Sequence, residues 1–526
     1  MRGSDQGRVK TLLKIGAALS SQNNIDLLLE MILLSAKQLT DADGGTLYLV
    51  TEDGCLNYEM LHTTSLGFAM GGSTGEPIQF PPLSLKSNSD LVSVRCALEQ
   101  RSINIPDVYA NQEFDFGGSS KFDSSTGYST RSLLCVPLVN HLSETVGVIQ
   151  LINSVDPATG AVGDFSTESQ ELAESLASQA AIALSNRQLI NQMADLFEAL
   201  IAMINTAIDE KSPYTGGHCN RVPDLALMLA EAVDKTSQGP LSEFSMSEED
   251  RYELRIASLL HDCGKVTTPV HVVDKGTKLE TIFDRIALID TRFEVLRRDR
   301  EIAYLKGEMS EADYHAARHE IDDARDFLRH CNVGGERMRD EDIARVKAIA
   351  AWELIGPDGH ITPFLSDDEV ENLTIVAGTL TFAERQIINN HIVSTIKMLE
   401  ALPWPKHLRR VPEFAGGHHE RMDGKGYPKG LKRDEMSIQA RIMGIADIFE
   451  ALTAADRPYK SAKPLSEALK IMGFFKLEQH IDPDLFDVFI REKVYLDYAQ
   501  RFLSPDQIDA IDEDKIPGYA SAIERQ

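Results

Sequence analysis

No Cys-x-x-Cys pair occurs among the six cysteines, Cys55, Cys96, Cys135, Cys219, Cys263 and Cys331, and their spacing forms no regular framework. Reduced thiols are therefore expected rather than a disulfide scaffold. The sequence also lacks a run of about 18 apolar residues, the minimum for a membrane-spanning helix. Its opening, Met1-Arg-Gly-Ser-Asp-Gln-Gly, has no apolar stretch of the kind a signal peptide carries, so a cytoplasmic location without membrane contact is expected. Positive charge is scarce: 53 Lys and Arg face 81 Asp and Glu, a formal net charge of −28. A field of that sign repels DNA and anionic membranes. An anionic ligand would need a concentrated local source of positive charge, and bound divalent metals are the strongest available.

What is present fits a folded, multidomain chain. At 526 residues with 43% hydrophobic content it exceeds one compact core, and about 100–200 residues per domain gives two to four domains. A helical pattern through Ile25-Asp-Leu-Leu-Leu-Glu-Met-Ile-Leu-Leu gives way to strand-like runs at Thr46–Val50, Leu133–Leu138 and Val146–Ile152. These predict an α/β domain over 1–167, closed by a helix over 168–190. From 168 to 205 the pattern is helical without Gly or Pro, and Leu189, Met193, Leu196, Leu200 and Met203 step by four, three, four and three. That stripe fits two chains pairing as a homodimer, or packing on its own domain. The rest, 206–526, reads as all-α. Within it, about 281–375 is dense in charge and is expected to be a helical, mostly solvated insertion.

The first domain resembles a GAF domain, on Asn104-Ile-Pro-Asp-Val-Tyr-Ala and the strand pair closing with Leu151-Ile-Asn153. The Asn-Lys, Phe and Asp-Glu signature that accompanies nucleotide binding in GAF domains of mammalian cyclic-nucleotide phosphodiesterases is broken. Ser154 follows Asn153, and Phe165 is followed by Ser, Thr, Glu, Ser and Gln. The resemblance thus implies either a sensor of another ligand or a dimerisation module.

Four segments of the second half carry candidate metal chemistry. In Pro213-Tyr-Thr-Gly-Gly-His218 a Gly-rich turn hands over to a helix presenting His218 inward. In Leu259-Leu-His261-Asp262-Cys-Gly-Lys265 an imidazole and a carboxylate are adjacent, and the carboxylate has two oxygens that can serve two ions. His418 and His419 precede a Gly-rich, Pro-terminated loop that makes a poor core segment. Asp447 sits on the apolar helix Ala440-Arg-Ile-Met-Gly-Ile-Ala-Asp447, where a buried carboxylate requires a cationic partner. Each segment alone has a plainer structural reading; their order and combination carry the argument.

His-Asp-x-Gly-Lys, then His-His-Glu-Arg-x-Asp-Gly-x-Gly-Tyr-Pro-x-Gly-Leu, then Ala-Asp and Asp456-Arg457-Pro458-Tyr459-Lys460, resemble the HD-GYP family over about 198–275 and 376–470. The resemblance implies an all-helical domain with a two- or three-metal centre that hydrolyses cyclic di-GMP to pGpG or GMP. It also implies a further histidine soon after a Gly-x-Leu-Thr-like segment. Lys275-Gly-Thr-Lys-Leu279 is followed by Asp290 and Thr291, whereas Gly378-Thr-Leu-Thr381 is followed at the required distance by His391. An insertion of about a hundred residues accounts for this, and makes His391 rather than Asp290 the expected ligand.

Family members with three metals often carry Glu four residues before the first ligand histidine; here that residue is Tyr214. Two divalent ions are expected, iron or manganese by resemblance. One would be held by His218, His261, Asp262 and Asp447, and the other by Asp262, His391, His418 and His419. Lys265 would neutralise charge on the transition state or assist the leaving oxygen. Arg457, Lys460, Tyr427 and Arg421 are the expected substrate contacts. The leading expectation is a cyclic di-GMP phosphodiesterase regulated by the GAF-like domain. A catalytically weak receptor or scaffold that binds nucleotide or a diguanylate cyclase, and a phosphodiesterase for cyclic GMP-AMP, are the alternatives.

Overall fold

A computed structural model describes residues 2–74, 76–211, 217–237, 239–335, 337–356, 358–455 and 462–519. The chain divides into two compact units, Met1–Glu198 and Ala199–Gln526. Among the described residues no helix is long and apolar enough to cross a membrane.

The first unit is built on one antiparallel sheet. Its strands are β1 (Ala42–Val50), β2 (Cys55–Thr63), β3 (Phe68–Gly71), β4 (Leu83–Ser84), β5 (Ile103–Ile105), β6 (Leu133–Val139), β7 (Thr145–Val155) and β8 (Val162–Gly163). They lie in the order β3-β2-β1-β7-β6-β5, with β4 paired to β2 and β8 to β7. Successive side chains of a strand point to opposite faces, so alternate residues enter two cores. Leu47, Leu134, Val136, Ile149 and Leu151 pack with Leu28, Ile32 and Leu33 of the helix Ile25–Thr40 and with Leu176, Ala180 and Leu184. Their neighbours Tyr48, Leu133, Cys135 and Val148 join Val94, Cys96 and Ile105 on the other face. The strand runs read from the sequence fall in β1, β6 and β7.

The helix Thr167–Lys211 has its residues to Glu198 in the first unit and the remainder in the second. Leu189, Met193, Leu196, Leu200 and Met203 are all exposed along it. Ile201 and Ile208, on another face, are buried.

The second unit is mainly helical. The helix His218–Asp234 packs against Glu248–Leu260 and Ile438–Thr453, and His391–Glu400 packs against the short turn Cys263–Thr267. Gly264 makes that last approach possible, because a Cβ there would lie 2.0 Å from the His391 carbonyl oxygen.

The charge-dense segment differs from the solvated excursion expected. Its helices Ile286–Leu305, Glu311–Asn332, Asp340–Ala350 and Asp367–Leu373 enclose a core of their own, including Leu279, Phe293, Leu328, Val346 and Phe364. A two-stranded sheet, Glu353–Ile355 with Ile361–Pro363, accompanies the helices. The helix Glu311–Asn332 buries Ile321, Ala324, Leu328 and Cys331 at helical spacing, and its charges occupy the remaining faces.

Both ends of this segment are clasped at one neck. Lys278 N–H donates to the Asn332 carbonyl (2.9 Å), and Lys278 Nζ to that of Ile375 (2.8 Å). Lys275 Nζ donates to Asn372 Oδ1 and to both Glu384 carboxylate oxygens, each at 2.8 Å.

Candidate metal centre

Three of the five site histidines are delivered by the same local device. His261, His391 and His418 each lie just beyond the last turn of a helix, where carbonyls lack intrahelical partners. In each case ring Nδ1 donates to the carbonyl three residues earlier: Ser258 (2.7 Å), Ile388 (2.5 Å) and Ala415 (2.6 Å). A carbonyl only accepts, so each Nδ1 carries a proton and Nε2 is the nitrogen left for a metal ion. His218 opens its own helix behind Gly217, which has φ +85°. Its Nδ1 donates to the Glu450 carboxylate, which Arg221 Nε also reaches at 2.7 Å.

These Nε2 atoms converge on Asp262 and Asp447. His218 Nε2 lies 3.4 Å from Asp262 Oδ2 and 3.2 Å from Asp447 Oδ1, and His391 Nε2 lies 3.2 Å from Asp262 Oδ1. His419 Nε2 stands 3.2 Å from His391 Nε2. Three sets have ligand atoms within 4.8 Å of one another: His391, His418 and His419; His218, His261 and Asp447; and His261, Asp262 and His418. His261 Nε2, Asp262 Oδ1 and His418 Nε2 are buried without a hydrogen-bond partner. Lone pairs facing lone pairs in a buried site repel unless a cation lies among them, so this donor set fits divalent metal ions.

Against burial, Asp262, Asp447 and Glu450 raise His218 well above its ordinary value, and Asp262 with Asp447 raises His261 to about 9, so positive charge is drawn to the two carboxylates. Burial opposes ionisation of Asp262, but Lys265 and then His261 outweigh it and hold the carboxyl well below its usual range. Asp447 is likewise held low against burial, by His218 and His261. Burial pushes His418 well down and His419 to about 4, so both are neutral, the form that binds metal.

All seven ligand candidates, His218, His261, Asp262, His391, His418, His419 and Asp447, therefore meet at one place. Lys265 joins them, its Nζ 2.6 Å from Asp262 Oδ2. Asp290 does not: Arg329 holds its carboxylate through two contacts, at 3.0 and 2.6 Å. Tyr427 stacks on His419 with ring centroids 4.8 Å apart, and with Arg421 it lines a cavity of about 400 Å³ that also reaches His418, His419 and Asp447. Tyr214, Arg457 and Lys460 lie outside the described residues.

Glu450 escaped the sequence reading. The signal was its position three residues beyond Asp447, which puts both carboxylates on one face of the helix Ile438–Thr453. Because Glu450 fixes the His218 ring, Glu450→Gln is expected to weaken metal affinity by about 10–100-fold, as loss of a partner behind a ligand typically does. Metal titration of the purified variant measures this; an unchanged affinity would remove Glu450 from the site.

A GAF domain profile matches residues 24–184, and two HD domain profiles match 215–349 and 367–485. The chain is 27% identical over 289 residues to the Vibrio cholerae 3'3'-cGAMP-specific phosphodiesterase 3, covering 55% of this chain and 37% of that protein. It is 46% identical over 81 residues to 3'3'-cGAMP-specific phosphodiesterase 1 of the same organism, covering 15% of this chain and 19% of the relative. Against a cyclic di-GMP phosphodiesterase of Thermotoga maritima it is 36% identical over 137 residues, covering 23% of this chain and 36% of the relative. It thus spans well under half the length of each. The chain joins a GAF domain to a helical region that HD domain profiles match.

Proposed function

We propose that the HD domain is a metal-dependent phosphodiesterase that opens cyclic di-GMP to pGpG, or onward to GMP, under control of the GAF domain. The observation that carries this is the set of buried, unpartnered ligand atoms on His261, Asp262 and His418 beside an open cavity. We assign one ion to His218, His261, Asp262 and Asp447, and a second to Asp262, His391, His418 and His419, both iron or manganese. When bound, divalent ions there lower the pKa of water and draw charge from a phosphodiester.

The chain's own groups supply the rest. Backbone carbonyls behind His261, His391 and His418 keep their protons on Nδ1 and aim Nε2 inward. Lys265 Nζ, paired with Asp262, offers a cation to the charge that builds on phosphorus or on the leaving oxygen. Tyr427 and Arg421 shape and charge the cavity wall for the substrate, and we keep Arg457 and Lys460 as further contacts.

A second reading, hydrolysis of 3'3'-cyclic GMP-AMP, is favoured by the names of two relatives. We further propose a cytoplasmic homodimer paired along the exposed Leu189 to Met203 stripe, with a diguanylate cyclase as the signalling partner that supplies the substrate. In domain terms the GAF part takes 1–167, the signalling helix 168–205 and the HD part 206–526, with an insertion at about 281–375.

The test is to incubate anaerobically purified full-length protein of measured metal content with cyclic di-GMP and with cyclic GMP-AMP, and to follow linear products. The expected result is linear dinucleotide from cyclic di-GMP. Absence of turnover by fully metallated protein would sink the hydrolase reading, and turnover of cyclic GMP-AMP alone would replace the substrate.

A further inference from the structure

The cavity beside the metal ligands has a divided lining. Arg421 and Lys425 are cationic, Ile448, Ala451 and Leu452 are apolar, and His480 is the one lining histidine outside the ligand set. At about 400 Å³ it falls at the lower end of the ~300–1,000 Å³ typical of small-ligand pockets, space for one nucleotide unit. Phosphate charge is met by the ligand cluster, Arg421 and Lys425. A nucleobase asks for something else, an apolar surface for its face and a hydrogen-bonding group for its edge.

His480 meets the second need, and the backbone around it is firmly held. Its N–H donates to the Phe475 carbonyl (2.8 Å), and its ring rests against the Phe475 ring with centroids 4.7 Å apart. Two residues on, fully buried Asp482 anchors Arg433 and Arg441 and caps the helix Pro483–Arg491. Yet among the described residues no hydrogen bond reaches the half-buried His480 ring nitrogens. A fixed, half-buried polar group that lines a cavity can exchange a water hydrogen bond for one from a ligand. Burial, and after it Arg421, lower the His480 pKa. The neutral ring offers a donor and an acceptor, so it can donate to N7 or O6 of guanine or accept from N6 of adenine.

We propose that His480 contacts a base of the bound cyclic dinucleotide and takes part in setting which base is accepted, an inference that rests on the phosphodiesterase reading above. Guanine presents two acceptors on its major-groove edge and adenine an acceptor and a donor, so loss of His480 weighs unequally on the two bases. His480→Phe keeps the ring packing on Phe475 and removes both nitrogens, whereas His480→Gln restores a donor and an acceptor.

The experiment compares wild type, His480→Phe and His480→Gln, each with metal content and melting temperature checked, in steady-state hydrolysis of cyclic di-GMP and 3'3'-cyclic GMP-AMP and in calorimetric binding of both. For His480→Phe we expect KM and Kd for cyclic di-GMP to rise about tenfold, the size of one lost hydrogen bond in a closed site. We expect kcat to stay within about twofold, the preference between the two dinucleotides to shift at least about threefold, and His480→Gln to recover part of the affinity. Unchanged KM and Kd for both ligands in a fully metallated His480→Phe protein would overturn the inference, as would a fall confined to kcat. Should the wild type bind but not hydrolyse, the hydrolase reading falls while the Kd comparison still decides the role of His480. Should it neither bind nor hydrolyse either dinucleotide, both fall together.

Discussion

Asp262→Ala is expected to cut turnover by about 10³-fold or more and to leave the protein unable to hold both metal ions. The two oxygens of Asp262 face both groups of histidines: Oδ2 faces His218 and His261, and Oδ1 faces His391. Removing it takes a ligand from each ion at once. A metal contributes several kcal/mol of transition-state stabilisation, and about 4 kcal/mol corresponds to three powers of ten in rate. Elemental analysis with an activity assay reads both effects, and Asp262→Asn serves as a volume-conserving control. A folded Asp262→Ala protein that kept two ions and full activity would refute the shared-ligand assignment.

The second large effect is on stability. Lys275→Met is expected to lower the unfolding free energy by about 3 kcal/mol, the lower part of the range for breaking a buried ion pair. The Lys275 side chain is fully buried and its carboxylate partner Glu384 is 18% exposed, so the stranded carboxylate keeps some access to water. Both tryptophans, Trp352 and Trp404, lie in the second unit, so urea unfolding followed by tryptophan fluorescence reports on that unit. Adding Glu384→Gln should restore part of the loss, because the stranded charge is then gone. Equal midpoints for wild type and Lys275→Met would dismiss the neck as a clamp. Glu384 also caps the helix Phe382–Asn389 at Thr381, and His391 follows two residues after that helix, so a loosened neck should weaken metal binding as well.

The GAF and helical architecture was legible in the sequence because short apolar strand runs such as Leu133–Leu138 and the apolar helix around Asp447 each have one simple reading. The seven ligand candidates were legible for a different reason, the order and combination of the His-Asp, His-His and Ala-Asp segments. His391 needed more, a Gly-x-Leu-Thr-like phrase met a second time at Gly378–Thr381. What stayed hidden was what stands behind or beside those residues. Glu450 and His480 look like ordinary helix and loop residues until the chain brings them to His218 and to the cavity wall. The core of the charge-dense segment was hidden because its charges outnumber the apolar residues it buries. In the helix Glu311–Asn332 the apolar stripe Ile321, Ala324, Leu328 and Cys331 is narrow, and the charges on either side mask it.

The carbonyl three residues before His261, His391 and His418 has an implication for how such a chain can change its length. Each of these ligands arrives with its own holder, made from the adjoining turn of backbone and independent of any distant side chain. Ligand and holder travel together as one short cassette. The fold can therefore carry a folded body between Leu279 and Gly378 and still bring His261 and His391 to the same carboxylate. His218 differs, because its holder is the Glu450 carboxylate, 232 residues away in the sequence.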